Sequence, residues 1–106
     1  MEGGKSMTIE ELLQDEINKI YEPEVGSKTA KVLIPAFLGD FRKVLEGSDP
    51  GVTASEEYMT EDKKMHLIFR GQRRMTAKGI DYILTSIICN DSELLSTELS
   101  MIPKLF

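Results

Sequence analysis

The spacing of apolar residues near the start of the chain predicts an amphipathic helix. Thr8 followed by Glu11 matches a capping box, in which each side chain bonds a backbone N–H group of the first helical turn. Pro23 disfavours the α conformation in the residue before it, so we expect the helix to end there. The apolar positions that repeat at helical intervals between these limits are Ile9, Leu12, Leu13, Ile17 and Ile20.

The following segment predicts two more helices. Ser27 is a suitable N-cap. Pro35 removes one backbone hydrogen bond and clashes with the preceding turn, so we expect a short helix at 28–33, a turn, and a helix at 36–46. The second of these carries an apolar stripe and is followed by Gly47, a common C-terminal residue of helices.

From residue 52 the helical period disappears, and two short stretches at 54–60 and 65–70 predict a β-hairpin. Gly71 is expected to end its second strand. Thr76 then resembles the N-cap of another helix, with Met75 and Ile80 as a hydrophobic staple across the cap. The apolar residues that continue this period are Ile80, Ile83, Leu84, Ile87 and Ile88. Ser92 is a suitable cap for a last helix at 93–101.

The element order predicts an α+β fold that is mostly α and winged-helix-like: three N-terminal helices, a β-hairpin, and one or two C-terminal helices. The stretch 73–83 resembles the junction between the wing and the following helix in MarR-like, PadR-like and YjcQ-like winged-helix proteins. About a quarter of the chain carries this resemblance. The matching residues are Met75, Thr76, Lys78, Gly79, Tyr82 and Ile83.

The length of 106 residues fits one domain, which we place at residues 7–106 after a flexible leader at 1–6. No stretch resembles a signal peptide, and no apolar run has the roughly 18 residues that a membrane span requires. We therefore expect a cytoplasmic protein without membrane contact.

Charge is unevenly distributed along the chain. Residues 1–62 carry six Lys/Arg and fourteen Asp/Glu, residues 63–78 carry six Lys/Arg and no acid, and the remainder has one Lys and four acids. The basic segment is predicted either to contact nucleic-acid phosphates or to be a solvated hairpin that balances the acidic helices. The candidate nucleic-acid-binding residues are Lys63, Lys64, Arg70, Arg73, Arg74 and Lys78, with Arg42 and Lys43 on the helix at 36–46.

Catalytic and metal chemistry find little support in the sequence. The chain has one histidine, His66, and one cysteine, Cys89, so it has no multi-histidine metal site, no histidine–cysteine metal cluster and no internal disulfide. Cys89 lies in an apolar run and is predicted to be a buried thiol. We expect neither a cofactor nor enzymatic activity.

Two functional hypotheses follow. The first is a small transcription regulator that binds duplex DNA through the basic hairpin, as the winged-helix resemblance implies. An apolar face could join two copies, or could complete the core of a monomer; its residues are Ile80, Ile83, Leu84, Ile87 and Leu95. The second is an acidic adaptor or inhibitor, of the kind found in phages and mobile elements, that binds a protein partner.

Overall fold

The computed structural model describes residues 8–101, so the predicted leader at 1–6 lies outside the described residues. Helix α1 spans Ile9–Ile20. The predicted capping box is confirmed: Glu11 N–H donates to Thr8 Oγ1, and Thr8 N–H donates to Glu11 Oε1. The buried face of α1 consists of Ile9, Leu13 and Ile17.

Helix α2 spans Pro23–Glu46 without interruption, so the predicted division at Pro35 is wrong. The side chains of Pro35 and Lys31 are both exposed, and the Lys31 carbonyl, which lacks a helical donor, can bond water instead. The predicted cap at Ser27 is also wrong. The helix begins at Pro23. A proline suits the first helical position, because an N–H group there would have no helical acceptor. Ser27 lies inside the helix.

A five-stranded antiparallel sheet follows the two helices. Its strands are β1 at Ala54–Met59, β2 at His66–Thr76, β3 at Gly79–Cys89, β4 at Ser92–Glu93 and β5 at Leu99–Ser100. β2 lies between β1 and β3, while β4 and β5 both pair with the outer edge of β3. The winged-helix prediction is therefore wrong: among residues 8–101 two helices precede the sheet, and strands replace the predicted C-terminal helices.

The predicted helix after Thr76 is strand β3. β2 continues through Gly71, and residues 77–78 connect it to β3 in a tight hairpin. Thr76 does not cap a helix; its hydroxyl donates to the Gly79 carbonyl within this turn. Met75 and Ile80 face each other across the two strands.

A β-bulge explains why β3 resembles a helix in sequence. Arg70 pairs with Ser86 and Gly71 with Leu84, so Thr85 is an extra residue on β3. The side chains directed at the helices are Ile80, Tyr82 and Leu84 before the bulge, and Ile87 and Cys89 after it. The bulge widens the spacing of core-facing residues from two to three between Leu84 and Ile87. Together with Ile83 and Ile88 of the opposite face, the apolar residues of β3 then match the helical template.

The predicted last helix at 93–101 is also wrong. Asn90 and Asp91 have φ values of 46° and 73°, which is the backbone of a two-residue hairpin turn that connects β3 to β4. The chain then returns along β3 as β5, and Met101 N–H donates to the Tyr82 carbonyl at 2.7 Å.

The core lies between the helices and one face of the sheet. Phe41 and Leu45 of α2 pack with Phe69, Leu84 and Ile87 of the sheet, and each has 0% exposure. Gly71 makes this contact close. A Cβ at that position would lie 2.5 Å from the Ile83 carbonyl oxygen and 3.0 Å from Phe41 Cε2.

Candidate functional site

The face of the sheet opposite the helices carries the candidate site. We call this surface the open face and define it by alternate residues of the three long strands. They are Ser55, Glu57 and Met59 of β1; His66, Ile68, Arg70, Gln72 and Arg74 of β2; and Asp81, Ile83, Ser86 and Ile88 of β3.

An apolar pair lies at the centre of the open face. Ile68 faces Ile88 across β2 and β3, and the same row continues to Glu57 on one side and Glu93 on the other. Both isoleucines are partly exposed, and neither packs against the buried core. Because polar residues usually occupy the solvent side of an antiparallel sheet, a partly exposed apolar pair there is a candidate contact for another molecule.

Arg70 lies in the next row, with Ser55 and Ser86 as its cross-strand neighbours. Its side chain is exposed and forms no ion pair with any residue in the range 8–101. The centre of the open face therefore combines apolar contact area with a guanidinium group that is available to a ligand.

Glu93 of β4 lies next to Ile88, at the outer side of this centre. Its carboxylate accepts hydrogen bonds from the Ser86 hydroxyl and from the N–H groups of Ile87 and Leu95. Partial burial by itself would raise the pKa of Glu93, but these hydrogen bonds outweigh it and leave the pKa below the ordinary value of 4.5. Glu93 is thus engaged within the fold.

At the other end of the open face, towards the β2–β3 turn, polar side chains are hydrogen-bonded to one another. Arg74 donates to both carboxylate oxygens of Glu98, at 2.6 and 2.8 Å, and to Gln72. The hydrogen bonds with Arg74 lower the pKa of Glu98. Ser100 donates to Asp81. These groups satisfy one another, in contrast to Arg70.

A cleft of about 400 Å³ lies elsewhere, between α2 and the β1–β2 turn. Val25 and Val32 are exposed along it. Its polar side is already bonded internally: the hydroxyls of Tyr21 and Thr60 donate to Asp62, at 2.9 and 2.6 Å. The Thr60 bond is the main cause of the lowered pKa of Asp62. Lys28, Thr29 and Glu61 also line the cleft, but they do not converge on an apolar pocket with Asp62, whose carboxylate is already engaged.

The structure does not bring the eight predicted nucleic-acid-binding residues into one patch. Lys63 and Lys64 lie in the β1–β2 turn and Lys78 in the β2–β3 turn, at opposite ends of an 11-residue strand that spans roughly 35 Å. Arg70 and Arg74 lie on the open face.

The remaining three predicted residues lie on or towards the helices. Arg73 pairs with Tyr82 on the helix side of the sheet, and its Nε is buried without a hydrogen-bond partner in the described part of the chain. The Arg42 guanidinium lies 5.4 Å from the centre of the Tyr82 ring and 3.4 Å from Glu46. Lys43 is exposed on α2.

The predicted dimer face is also divided. Leu84 and Ile87 have 0% exposure in the core, while Ile83 lies on the open face. Ile80 is 45% exposed near the β2–β3 turn, and Leu95 is partly buried beside the core. These residues share an apolar character but no common surface.

Sequence reasoning missed Ile88 and Ser86 as surface residues, because β3 was predicted to be helical. A signal was present in β2, where Ile68 alternates with the buried Leu67 and Phe69. Cys89 is buried as predicted, with 2% exposure, and burial raises the pKa of its thiol to about 11.

No helix among residues 8–101 is both long and apolar enough to cross a membrane. The same residues contain no cluster of three or more His, Cys, Asp or Glu side chains placed to hold a metal ion. Comparison with known proteins found no matching family model, no similar curated protein and no similar solved structure.

Proposed function

We propose that this chain is a binding module for another protein and that it has no enzymatic activity of its own. The observation that carries the proposal is the partly exposed Ile68–Ile88 pair at the centre of the open face, beside Arg70, which has no ion-pair partner among the described residues. Protein interfaces typically combine an apolar centre with arginine and a polar rim. Glu57 and the hydroxyl of Ser55 would contribute to that rim.

This function corresponds to the adaptor or inhibitor hypothesis. Arg70 would engage a carboxylate or a backbone carbonyl of the partner, since a guanidinium offers only donors. The self-bonded network around Arg74 would remain outside the contact centre, because its groups would have to lose existing hydrogen bonds to join it.

Affinity purification of the tagged protein from its native host tests the proposal. We expect a stoichiometric partner with the wild type and its loss with Ile68→Asp, which places an unpaired charge in the contact centre. Val32→Asp is the matched control, because Val32 is 68% exposed on α2 and lies away from the open face. Circular dichroism would verify that both variants are folded.

The proposal fails if no stoichiometric partner is recovered, or if both variants retain it equally. Duplex DNA is tested with the same samples by a mobility-shift assay over a salt series. Phosphate contacts should be strongest at low salt, so binding there that depends on Arg70 and Lys63 would favour the nucleic-acid hypothesis.

A further inference from the structure

Strand β1 has a free edge among the described residues. Thr60 N–H donates to the Met65 carbonyl, which sets the alternation of the ladder between β1 and β2. The backbone groups of Ala54, Glu56 and Tyr58 therefore point towards β2. Those of residues 55, 57 and 59 point away from it, where no strand is paired.

Contacts with α2 hold β1 in its extended conformation in the absence of a partner. The Tyr58 hydroxyl donates to Asp40 of α2 at 2.7 Å, and its ring stacks on Phe37 with the ring centres 5.0 Å apart. β1 contains no proline, and its pairing with β2 has no bulge. An ordered edge offers backbone hydrogen bonds at a low cost in conformational entropy.

The negative charge of β1 determines which strands can pair with its free edge. Glu56 and Glu57 are exposed. Glu56 forms no ion pair with a described residue, and Glu57 has His66 Nε2 at 3.9 Å but no described lysine or arginine as a partner. Antiparallel pairing of β1 with a second copy sets outward-pointing residues opposite one another, so a pairing centred on the strand would place Glu57 opposite Glu57, or Glu56 opposite Glu56, of that copy. Like charges directly opposite each other destabilise a sheet, whereas lysine or arginine would be favoured there.

We propose that the β1 edge binds an extended basic segment of the partner protein by strand addition. The inference rests on the proposed function and names the chemistry of its partner. Two adjacent basic residues would lie opposite Glu56 and Glu57, on the two faces of the added strand. Flanking apolar residues would lie beside Tyr58 and Met59.

A synthetic peptide is a direct probe: acetyl-Thr-Val-Ile-Lys-Lys-Thr-Val-Thr-amide, with Glu-Glu in place of Lys-Lys as its control. We expect the lysine peptide to bind at least about tenfold more tightly than the glutamate peptide at low salt. On binding, amide hydrogen exchange should slow at residues 55, 57 and 59. Residues 54, 56 and 58 are already bonded to β2 and should change less.

Backbone methylation of the peptide separates strand addition from simple charge attraction. One version is N-methylated at its odd amides and another at its even amides. Only one of these sets faces β1, so one version should lose binding and the other should keep it. Equal behaviour of the two versions would overturn the inference.

A charge-reversal pair completes the test. Glu56→Lys/Glu57→Lys should abolish binding of the lysine peptide, while Asp15→Lys/Glu24→Lys makes the same change in net charge on the helices and should retain it. Failure of the lysine peptide to bind would also overturn the inference. Loss of the native partner with Ile68→Asp would still support the proposed function in that case, so the two failures are distinguishable.

Discussion

The two faces of the sheet are made by the same strands but differ in how deeply their side chains are buried. On the helix side, Leu67 and Phe69 are buried against α2. On the open face, the intervening Ile68 and Arg70 keep contact with solvent. One face is specified by packing, while the other can vary without changing the fold and is therefore the place where binding can be added.

The largest expected difference between the faces is in stability. Phe69→Ala should lower the free energy of unfolding by about 3–5 kcal/mol, because it removes a fully buried ring that contacts Phe41 and Tyr58. Ile68→Ala, one residue away, should cost about 1 kcal/mol or less. Urea denaturation measures both. Similar losses at the two positions would show that the open face is also packed.

Two glycine substitutions compare the close sheet–helix contact with an exposed position on α2. Gly71→Ala should destabilise the protein by roughly 1–3 kcal/mol, because the new methyl group would clash with the Ile83 carbonyl and Phe41. Gly39→Ala is the control. A Cβ at residue 39 meets no atom within 4 Å, and alanine in a helix should stabilise by about 0.5–1 kcal/mol. Thermal melts should therefore shift in opposite directions.

The smallest expected effect on stability is that of Glu93, at the outer side of the open face. The pKa of Glu93 is lower in the folded protein than its ordinary value, so its contribution is complete above about pH 4.5 and is lost as the pH falls further. Glu93→Gln should cost at most about 1 kcal/mol at neutral pH, since solvent screens an exposed carboxylate.

The same substitution should flatten the fall in melting temperature below pH 4.5. Glu61→Gln is the control, because Glu61 is exposed and accepts no hydrogen bond from a described residue. An unchanged pH profile in the Glu93 variant would contradict the stabilising role of its hydrogen bonds.

The sequence predicted the elements whose signals are local. The capping box and the apolar repeat of α1 lie within one helix, and the β1–β2 hairpin lies between two adjacent stretches. Pro35 misled the prediction, because whether an interior proline breaks a helix depends on the surrounding tertiary contacts, which the sequence alone does not show.

The helical prediction for β3 failed for a different reason. Its bulge at Thr85 depends on pairing with β2, which is not visible in β3 alone. The β-branched residues at 80, 83, 87 and 88 favour a strand, but the spacing outweighed that preference. The open face depends on the register of β2 against β3, so a sequence pattern that predicts a helix for β3 cannot predict the Ile68–Ile88 pair.

The order of the elements affects how the chain can fold during synthesis. α1 and α2 leave the ribosome first, but Phe41 and Leu45 have no sheet to cover until β2 and β3 have emerged. The helices can pair with each other in the meantime, through the close approach at Gly26. Their remaining apolar surface stays exposed until β3 has emerged as well, so this interval is when a nascent chain would most need a chaperone.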